Sequence, residues 1–298
     1  MFHQLQADGL LYWGSDGKAD VPSIKMFLSE ARGLTPISFW EHEYAGNTDE
    51  GTADLSSLMG IKVFDNPKPV RLIKRVLEHA TSSNSEDIVL DFFSGSGTTA
   101  QAVMELNSED GGNRRFIVVQ IPEQIDKNNE IYKAGYKTIC EIGEERIKRA
   151  GNRIKNEKGD NSTDVGFRVL LVDSSNMNDV YYAAGDYTQG LLTMLESNVK
   201  SDRTDLDLLF GCLLEWGLPL SMPYTSEQIE GCTVHTYNDG DLIACFDEEI
   251  PDSVVKEVAK RQPLRVVFRD GCFKDSPSKI NVGEIFKMLA PDTRVKVI

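Results

Sequence analysis

The sequence predicts an α/β fold with a parallel sheet in its middle and a separate α/β domain towards its C-terminal end. The first observation is a pair of short, β-branched and apolar runs at residues 88–90 and 116–119, with an amphipathic helical segment between them. Two such runs with a crossover of this length predict parallel strands in a right-handed βαβ unit. The second observation is a polar break at residues 159–163, after which strand-like and helix-like segments continue to the end of the chain.

Composition is typical of a soluble globular protein with room for two domains. The 298 residues are 40% hydrophobic and 27% charged. No run of about 18 apolar residues exists, so no membrane span is expected, and the first ten residues do not have the pattern of a secretion signal. The net charge of −15 argues against a surface that broadly attracts nucleic acid, so any DNA contact is expected to be local.

The cysteines and histidines predict a reduced, cytoplasmic protein without a metal site. The five cysteines are dispersed and form no C-x-x-C pair, which is typical of reduced thiols. The four histidines show no spacing of metal ligands either.

Residues 87–101 are predicted to be the centre of the fold and to form a ligand pocket. The apolar run at the start of this segment is expected to be a strand buried on both faces, with Asp91 at its end. Gly95 and Gly97 permit a tight turn and a close approach of the backbone to a ligand. Thr98 then begins a helix whose free amide groups suit an anionic group such as a carboxylate or a phosphate.

Three interpretations of this loop differ in the ligand that they predict. A phosphate-binding P-loop requires Gly-Lys-Ser/Thr and is excluded, because Thr98 follows Gly97. A dinucleotide fingerprint is loosely satisfied by the segment from Gly95 to Ala100. The carboxylate of Asp91 favours instead a ligand with a cationic amino or sulfonium end, because it would repel a pyrophosphate. The pattern D-x-x-x-G-x-G is similar to the S-adenosylmethionine loop of methyltransferases, and a purely structural turn is the remaining alternative.

The first 60 residues are predicted to be irregular and not a complete domain. Residues 20–32 have one apolar face, with Ile24, Phe27 and Leu28 on it, and are expected to hold a short helix. The polar residues 43–55 are expected to form a mobile loop, with DNA contact as a less favoured role.

A clearer helix is predicted within residues 64–80. Asn66 is expected to cap this helix, and Pro67 suits its first position. Lys68 and Pro69 would then lie in the first turn, where they could close over a ligand held by the glycine loop. The alternative is that Lys68 is simply solvated and that both prolines only start the helix.

The second strand of the sheet, residues 116–119, is also expected to be buried and leads to Gln120. This position commonly holds an acid that binds ribose hydroxyls. Glutamine can bind both hydroxyls but has no charge, so a weaker contact is expected.

Residues 135–157 predict a long amphipathic helix with Ile139, Ile142 and Ile147 inward. Its far end is basic, and a solvated helix face is the expected role, with a contact to a phosphate backbone as the alternative. The basic residues are Arg146, Lys148, Arg149, Arg153, Lys155 and Lys158.

The C-terminal half is predicted to be an acidic α/β unit for interaction or assembly. Residues 167–172 are expected to form a strand, and Thr204 is expected to cap a helix that ends at Gly217. Leu206, Leu209, Phe210 and Leu213 are expected to pack inward from this helix. The further predicted elements are a hairpin of residues 233–237 and 242–246, a helix after Pro251, a strand at 265–269, a helix capped by Asn281 and a strand at 295–298.

Three segments together resemble the modification subunit of type III restriction-modification systems. They are FDNPKPVRLIKRVL (residues 64–77), DFFSGSGTTAQAVMELN (residues 91–107) and RRFIVVQIPE (residues 114–123). The likeness extends through residues 167–177 and the final segment, and so covers nearly the whole chain. Those subunits are DNA adenine-N6 methyltransferases of the permuted class, in which the catalytic motif precedes the cofactor motifs. The resemblance therefore implies a partial Rossmann-like methyltransferase sheet.

The resemblance also implies S-adenosylmethionine as the cofactor and suggests its binding residues position by position. The cofactor loop corresponds to Asp91, Phe92, Ser94, Gly95 and Gly97. Lys68 and Pro69 match the helix that flanks the methionine end, and Gln120 falls at the ribose position.

The catalytic residues that the resemblance implies are missing from this sequence. The family's tetrad, [Asp/Asn/Ser]-Pro-Pro-[Tyr/Phe/Trp], does not occur, and residues 221–224, Ser-Met-Pro-Tyr, lack the first proline. A base-flipping enzyme needs this polar and aromatic clamp to hold adenine during transfer. The chain is therefore expected to be the C-terminal part of such a subunit, inactive alone, with no catalytic residue of its own.

The resemblance implies three regions with different roles. Residues 1–60 would be the tail of the target-recognition region and a linker, residues 61–172 the cofactor-binding part, and residues 173–298 an assembly domain. The implied partners are DNA, a restriction subunit and a second copy of the chain. The main alternative is a non-catalytic interaction module whose glycine loop is vestigial.

Overall fold

The computed structural model describes residues 1–27, 29, 35–158, 162–178, 199–273 and 276–298. The chain is a mixed α/β protein that divides into two compact units, Met1–Phe167 and Arg168–Ile298. None of the helices in the described ranges is long and apolar enough to cross a membrane. The predicted further division at residue 60 stays a prediction.

The first unit holds seven helices and four strands within its described residues. In chain order they are α1 (Phe2–Ala7), β1 (Leu11–Tyr12), β2 (Ser23–Ile24), α2 (His42–Ala45), α3 (Thr48–Met59), α4 (Val70–Ala80), β3 (Ile88–Asp91), α5 (Thr98–Asp110), β4 (Arg115–Val118), α6 (Glu130–Lys133) and α7 (Ile139–Lys158).

Strands β3 and β4 form a parallel pair with α5 as the crossover, as the sequence predicts. Val89 lies opposite Phe116 in the register, and both side chains pack against apolar residues of α4 and α5. The opposite face of the pair is open: the side chains of Ile88, Leu90 and Ile117 are 54%, 61% and 51% exposed. Within the described part of the unit, the expectation that both strands are buried on both faces is therefore wrong, because helices α4, α5 and α7 cover one face only.

Two predictions for the N-terminal region are corrected by the structure. Ser23–Ile24 is a strand that pairs with Leu11–Tyr12, so the helix expected over residues 20–32 does not form there; residues 28 and 30–34 lie outside the described ranges. Most of the loop expected over residues 43–55 is helical. Asn47 caps α3 by accepting a hydrogen bond from the backbone N–H of Glu50, which is a helix-start signal that the polar composition obscured.

Helix α4 begins three residues later than predicted. Its N-cap is Pro69, and Asn66 does not cap it but has a left-handed backbone with φ of 53°. A proline disfavours helical geometry in the residue before it, so Pro69 keeps Lys68 out of the first turn. Lys68 consequently lies outside the helix, and Pro69 at its N-cap has an extended backbone.

Helix α7 has the predicted apolar face but starts at Ile139 instead of residue 135. Gly135 has φ of 108° and lies just after the short helix α6, which explains the later start. Ile142 and Ile147 are buried as expected. Of the predicted polar break, residues 159–161 lie outside the described ranges.

In its described residues, the second unit is a five-stranded sheet with helices on both faces. Its described elements are α8 (Asp205–Glu215), β5 (Tyr224–Ile229), β6 (Cys232–Tyr237), β7 (Leu242–Cys245), α9 (Asp252–Lys260), β8 (Arg265–Phe268), α10 (Ser276–Leu289) and β9 (Arg294–Val297). The strand order follows the chain; β5, β6 and β7 are antiparallel, and β7, β8 and β9 are parallel. Apolar residues of α8 pack on one face of the sheet and those of α9 and α10 on the other.

Most element predictions for this unit are confirmed. Thr204 and Asp207 form a capping box at the start of α8, and Gly217 takes a left-handed conformation just after its end. The hairpin of β6 and β7 turns at Asn238–Gly240 as expected.

Three details of the second unit differ from the sequence predictions. Residues 167–172 are not a strand, and Val172 is 98% exposed. Leu206 is 38% exposed and does not pack inward. Asn281 lies inside α10, where its side chain donates to Asp252 instead of capping the helix.

Candidate cofactor-binding site

The loop between β3 and α5 is shaped by two glycines with left-handed backbones. Gly95 has φ of 52° and Gly97 has φ of 78°, which favour glycine over residues with a side chain. A Cβ atom on Gly95 would lie 3.3 Å from the ring of Phe64, and one on Gly97 would lie 3.3 Å from the carbonyl oxygen of Gly143 in α7. The loop is therefore held closely between its neighbours.

Asp91 lies at the end of β3 and is oriented by the first turn of α5. The hydroxyl of Thr99 donates a hydrogen bond of 2.5 Å to Oδ2 of Asp91. The following residue, Phe92, is 62% exposed and meets Phe93 edge to face. Ser94 donates its backbone N–H to the carbonyl of Val119 in the segment after β4. A carboxylate and an exposed ring thus flank the glycine loop.

Gln120 contacts the glycine loop directly. Its Oε1 accepts a hydrogen bond of 2.8 Å from the backbone N–H of Gly95, and its Nε2 donates to the carbonyl of Ile121 at 3.2 Å. A contact between Gln120 and ribose hydroxyls would compete with these two hydrogen bonds. The structure places Gln120 beside the glycine loop and gives it a loop-stabilising contact that sequence analysis did not foresee.

Lys68 and Pro69 lie beside the first turn of α5. The carbonyl oxygen of Lys68 is 3.4 Å from the hydroxyl of Thr98, which donates to it. The Lys68 residue is exposed, whereas Pro69 is buried. Gly51 in α3 approaches the same segment so closely that an added Cβ would be 2.4 Å from the carbonyl oxygen of Pro67. The eight predicted site residues are thus gathered around one loop.

Arg146 differs most from its sequence prediction, because it is fully buried and not part of a solvated face. Its Nε donates to Oε1 of Gln101 at 2.7 Å, and its Nη1 donates to the hydroxyls of Ser96 at 2.8 Å and Thr98 at 2.7 Å. Burial lowers the pKa of the guanidinium to about 10, so Arg146 is still charged at pH 7. The sequence does contain an indication of this burial, because Arg146 lies four residues after the buried Ile142, on the apolar face of α7.

Two other basic residues of α7 also have partners within the unit. Arg149 donates to Glu145 and to the carbonyl of Met59, and Arg153 donates to Glu105 at 2.6 Å. These contacts link α7 to α3 and α5. They give Arg149 and Arg153 structural contacts that the charge run did not predict, and a contact with a phosphate backbone stays a prediction.

The described residues include one group with three potential metal-ligand atoms, Cys232, Cys245 and Asp247 in the second unit, which sequence spacing did not reveal. Burial raises the pKa of both thiols, which disfavours the thiolate form that binds metals. Asp247 accepts a hydrogen bond from the backbone N–H of Thr233. Cys232 and Cys245 also belong to the apolar core between the sheet and helices α9 and α10.

Comparison with known proteins gives one family and several relatives. Residues 12–159 match the N6_N4_Mtase family, described as DNA methylase. The type III restriction-modification enzyme StyLTI Mod subunit of Salmonella typhimurium is 39% identical over 167 residues, which are 56% of this chain and 25% of that protein. The EcoPI Mod subunit of Escherichia phage P1 is 31% identical over 283 residues, 92% of this chain and 42% of that protein.

The similarity extends to a further methyltransferase, but the matched lengths are partial. The type II methyltransferase M.KpnI of Klebsiella pneumoniae is 32% identical over 130 residues, which cover 44% of this chain and 30% of that protein. The chain thus spans less than half of the length of each of these curated relatives.

Proposed function

Because the chain belongs to the DNA methylase family through residues 12–159, we propose that it is part of a site-specific DNA adenine-N6 methyltransferase. Two of these relatives carry the name of type III Mod subunits, which supports the proposal that this chain is part of the modification subunit of such a system. In that system it would protect DNA from a partner restriction subunit.

The observation that carries the proposal is a carboxylate fixed beside a glycine loop. Asp91 is oriented by Thr99, and Gly95 and Gly97 give the neighbouring loop the left-handed backbone angles that favour glycine. The negative charge of the Asp91 carboxylate suits the methionine end of S-adenosylmethionine, whose amino group and sulfonium are cationic. It suits the negatively charged pyrophosphate of a dinucleotide less well. When bound, that cofactor supplies an electrophilic methyl group.

The remaining predicted residues have defined places in this proposal. Asp91, Phe92, Ser94 and the two glycines would form the cofactor loop, Lys68 and Pro69 would flank the methionine end, and Gln120 would bind the ribose. Gln120 would exchange its hydrogen bond with Gly95 for one with a hydroxyl. The parallel pair with its crossover helix would be part of a Rossmann-like sheet.

The experiment that tests this site is a calorimetric titration of the purified chain with S-adenosylhomocysteine. We expect saturable binding in the micromolar range, which corresponds to about −8 kcal/mol. NAD should not compete, because Asp91 repels its pyrophosphate. Competition by NAD would favour a dinucleotide enzyme. The absence of binding at millimolar ligand would favour the alternative function, an interaction module with a vestigial loop.

We further propose that these 298 residues do not transfer the methyl group without another segment. The sequence contains no [Asp/Asn/Ser]-Pro-Pro-[Tyr/Phe/Trp] tetrad to stack a flipped adenine and accept hydrogen bonds from its amine. An assay with radiolabelled S-adenosylmethionine and adenine-containing DNA should give no labelled DNA, although S-adenosylhomocysteine binds. Labelled N6-methyladenine would contradict this proposal.

The proposed partners are DNA, a restriction subunit and a second copy of the chain, with the second unit as the assembly domain. The open face of the β3–β4 pair supports self-association, because Ile88, Leu90 and Ile117 expose apolar surface on neighbouring strands.

A further inference from the structure

The buried side chain of Arg146 in α7 connects the glycine loop of the proposed cofactor site with two positions in helix α5. One guanidinium reaches Ser96 in the glycine loop, Thr98 at the start of α5 and Gln101 one turn further along. The distance from guanidinium nitrogen to acceptor oxygen is 2.7–2.8 Å in all three contacts, and Arg146 is fully buried. Hydrogen bonds from a charged donor in such surroundings are stronger than those between neutral groups.

The contact with Thr98 continues to the other side of the site. Nη1 of Arg146 donates to the Thr98 hydroxyl, and the same hydroxyl donates to the carbonyl oxygen of Lys68. The two bonds form a short relay from α7 to the segment that would flank the methionine end. Close packing of Gly97 on Gly143 of α7 supports the same arrangement one turn away. Helix α7 therefore contacts the glycine loop directly and reaches the Lys68 segment through the Thr98 hydroxyl.

Stability alone does not explain an arginine at this position. Burial disfavours the charged guanidinium and lowers its pKa, and Nη2 is buried without a hydrogen-bond partner among the described residues. Glu105 and Asp54 compensate only electrostatically. A well-packed apolar residue in such a place is often as stable as the ion or more stable. What an apolar residue would not supply is directional contact with Ser96 and Thr98.

We propose that Arg146 is a positioning residue of the cofactor site, which holds the glycine loop and the Lys68–Pro69 segment in the arrangement that binds S-adenosylmethionine. The inference rests on the proposed function for its ligand. The geometric part, that Arg146 orders the loop, can be tested without any ligand.

The first test compares hydrogen exchange of the loop peptide, residues 92–99, in Arg146→Met and the wild type. Loss of the charge-assisted hydrogen bonds should speed exchange of the loop amides by about tenfold or more. Arg146→Lys, which keeps the charge and a donor, should restore part of the protection. Thr98→Val removes only the relay hydroxyl and should also speed exchange, so the test remains decisive if Arg146→Met does not fold.

Two variants on the same helix serve as controls. Arg149→Met removes hydrogen bonds to Glu145 and Met59 and should lower stability without changing loop exchange, whereas Lys148→Met removes an exposed charge only. Urea unfolding of each variant separates a loosened loop from a weaker fold. Loop exchange in Arg146→Met that equals the wild type, or that changes only as much as in Arg149→Met, would overturn the proposal.

The second test measures the affinity for S-adenosylhomocysteine of the same variants. Arg146→Met should bind about tenfold more weakly or worse, and Arg146→Lys should fall between it and the wild type. A wild-type chain that does not bind would contradict the proposed function, while the exchange data would still decide whether Arg146 orders the loop. Wild-type binding with unchanged affinity in Arg146→Met would overturn the inference and leave the proposed function standing.

Discussion

Replacing Asp91 with alanine is expected to weaken binding of S-adenosylhomocysteine by about 100-fold or more. The carboxylate is the charged group that would meet the cationic amino end of the ligand, and removing one partner of a shielded charge pair typically costs about 2–5 kcal/mol. Thr99 would also lose the acceptor of its hydroxyl. Titration calorimetry at equal protein concentration measures the change.

Two asparagine variants separate charge from structure in this experiment. Asp91→Asn keeps an oxygen that can accept the Thr99 hydrogen bond but removes the negative charge, so most of the affinity should still be lost. Asp87→Asn makes the same chemical change just before β3, where Asp87 accepts from Ser82 and Ser85, and should leave the affinity unchanged. Equal affinities of Asp91→Asn and wild type would show that the charge of Asp91 has no part in binding.

Local sequence signals predict the helices and strands of this protein better than they predict which side chains are exposed. The strand at residues 88–90 and the crossover helix after it follow from composition and periodicity, and both form as expected. Burial of Ile88 and Leu90 on a second face depends on what covers the sheet, which the run itself does not encode. The start of α4 was predictable in principle, because Pro69 excludes Lys68 from the helix.

The site shows a similar division between what lies near in sequence and what meets only in the fold. Asp91 lies four positions before Gly95, so the proximity of the carboxylate to the glycine turn follows from a strand that ends in a turn. Gln120 and Gly95 are 25 positions apart, and their hydrogen bond depends on strand register and on a side-chain rotamer. Arg146 is 50 positions from Ser96. A run of basic residues is usually solvated, so the sequence alone did not distinguish the buried Arg146 from its exposed neighbours.

Gly51→Ala is expected to lower the free energy of unfolding of the first unit by about 2 kcal/mol. The new Cβ would lie 2.4 Å from the carbonyl oxygen of Pro67 and 2.9 Å from the backbone nitrogen of Pro69, so backbone must move. Such overpacking costs up to about 3 kcal/mol, and the better helix propensity of alanine returns about 1 kcal/mol. Urea unfolding followed by far-UV circular dichroism measures the difference.

The same substitution should also weaken cofactor binding, because the backbone that it displaces leads directly into Lys68. Gly143→Ala is the matched control: it is also a helical glycine of this unit, yet its added Cβ would be 3.6 Å from the nearest atom, the carbonyl oxygen of Gly95. That distance is ordinary van der Waals contact, so Gly143→Ala should keep or raise stability. If Gly51→Ala were as stable as Gly143→Ala and bound S-adenosylhomocysteine as tightly as the wild type, close packing of α3 would not position the Lys68–Pro69 segment.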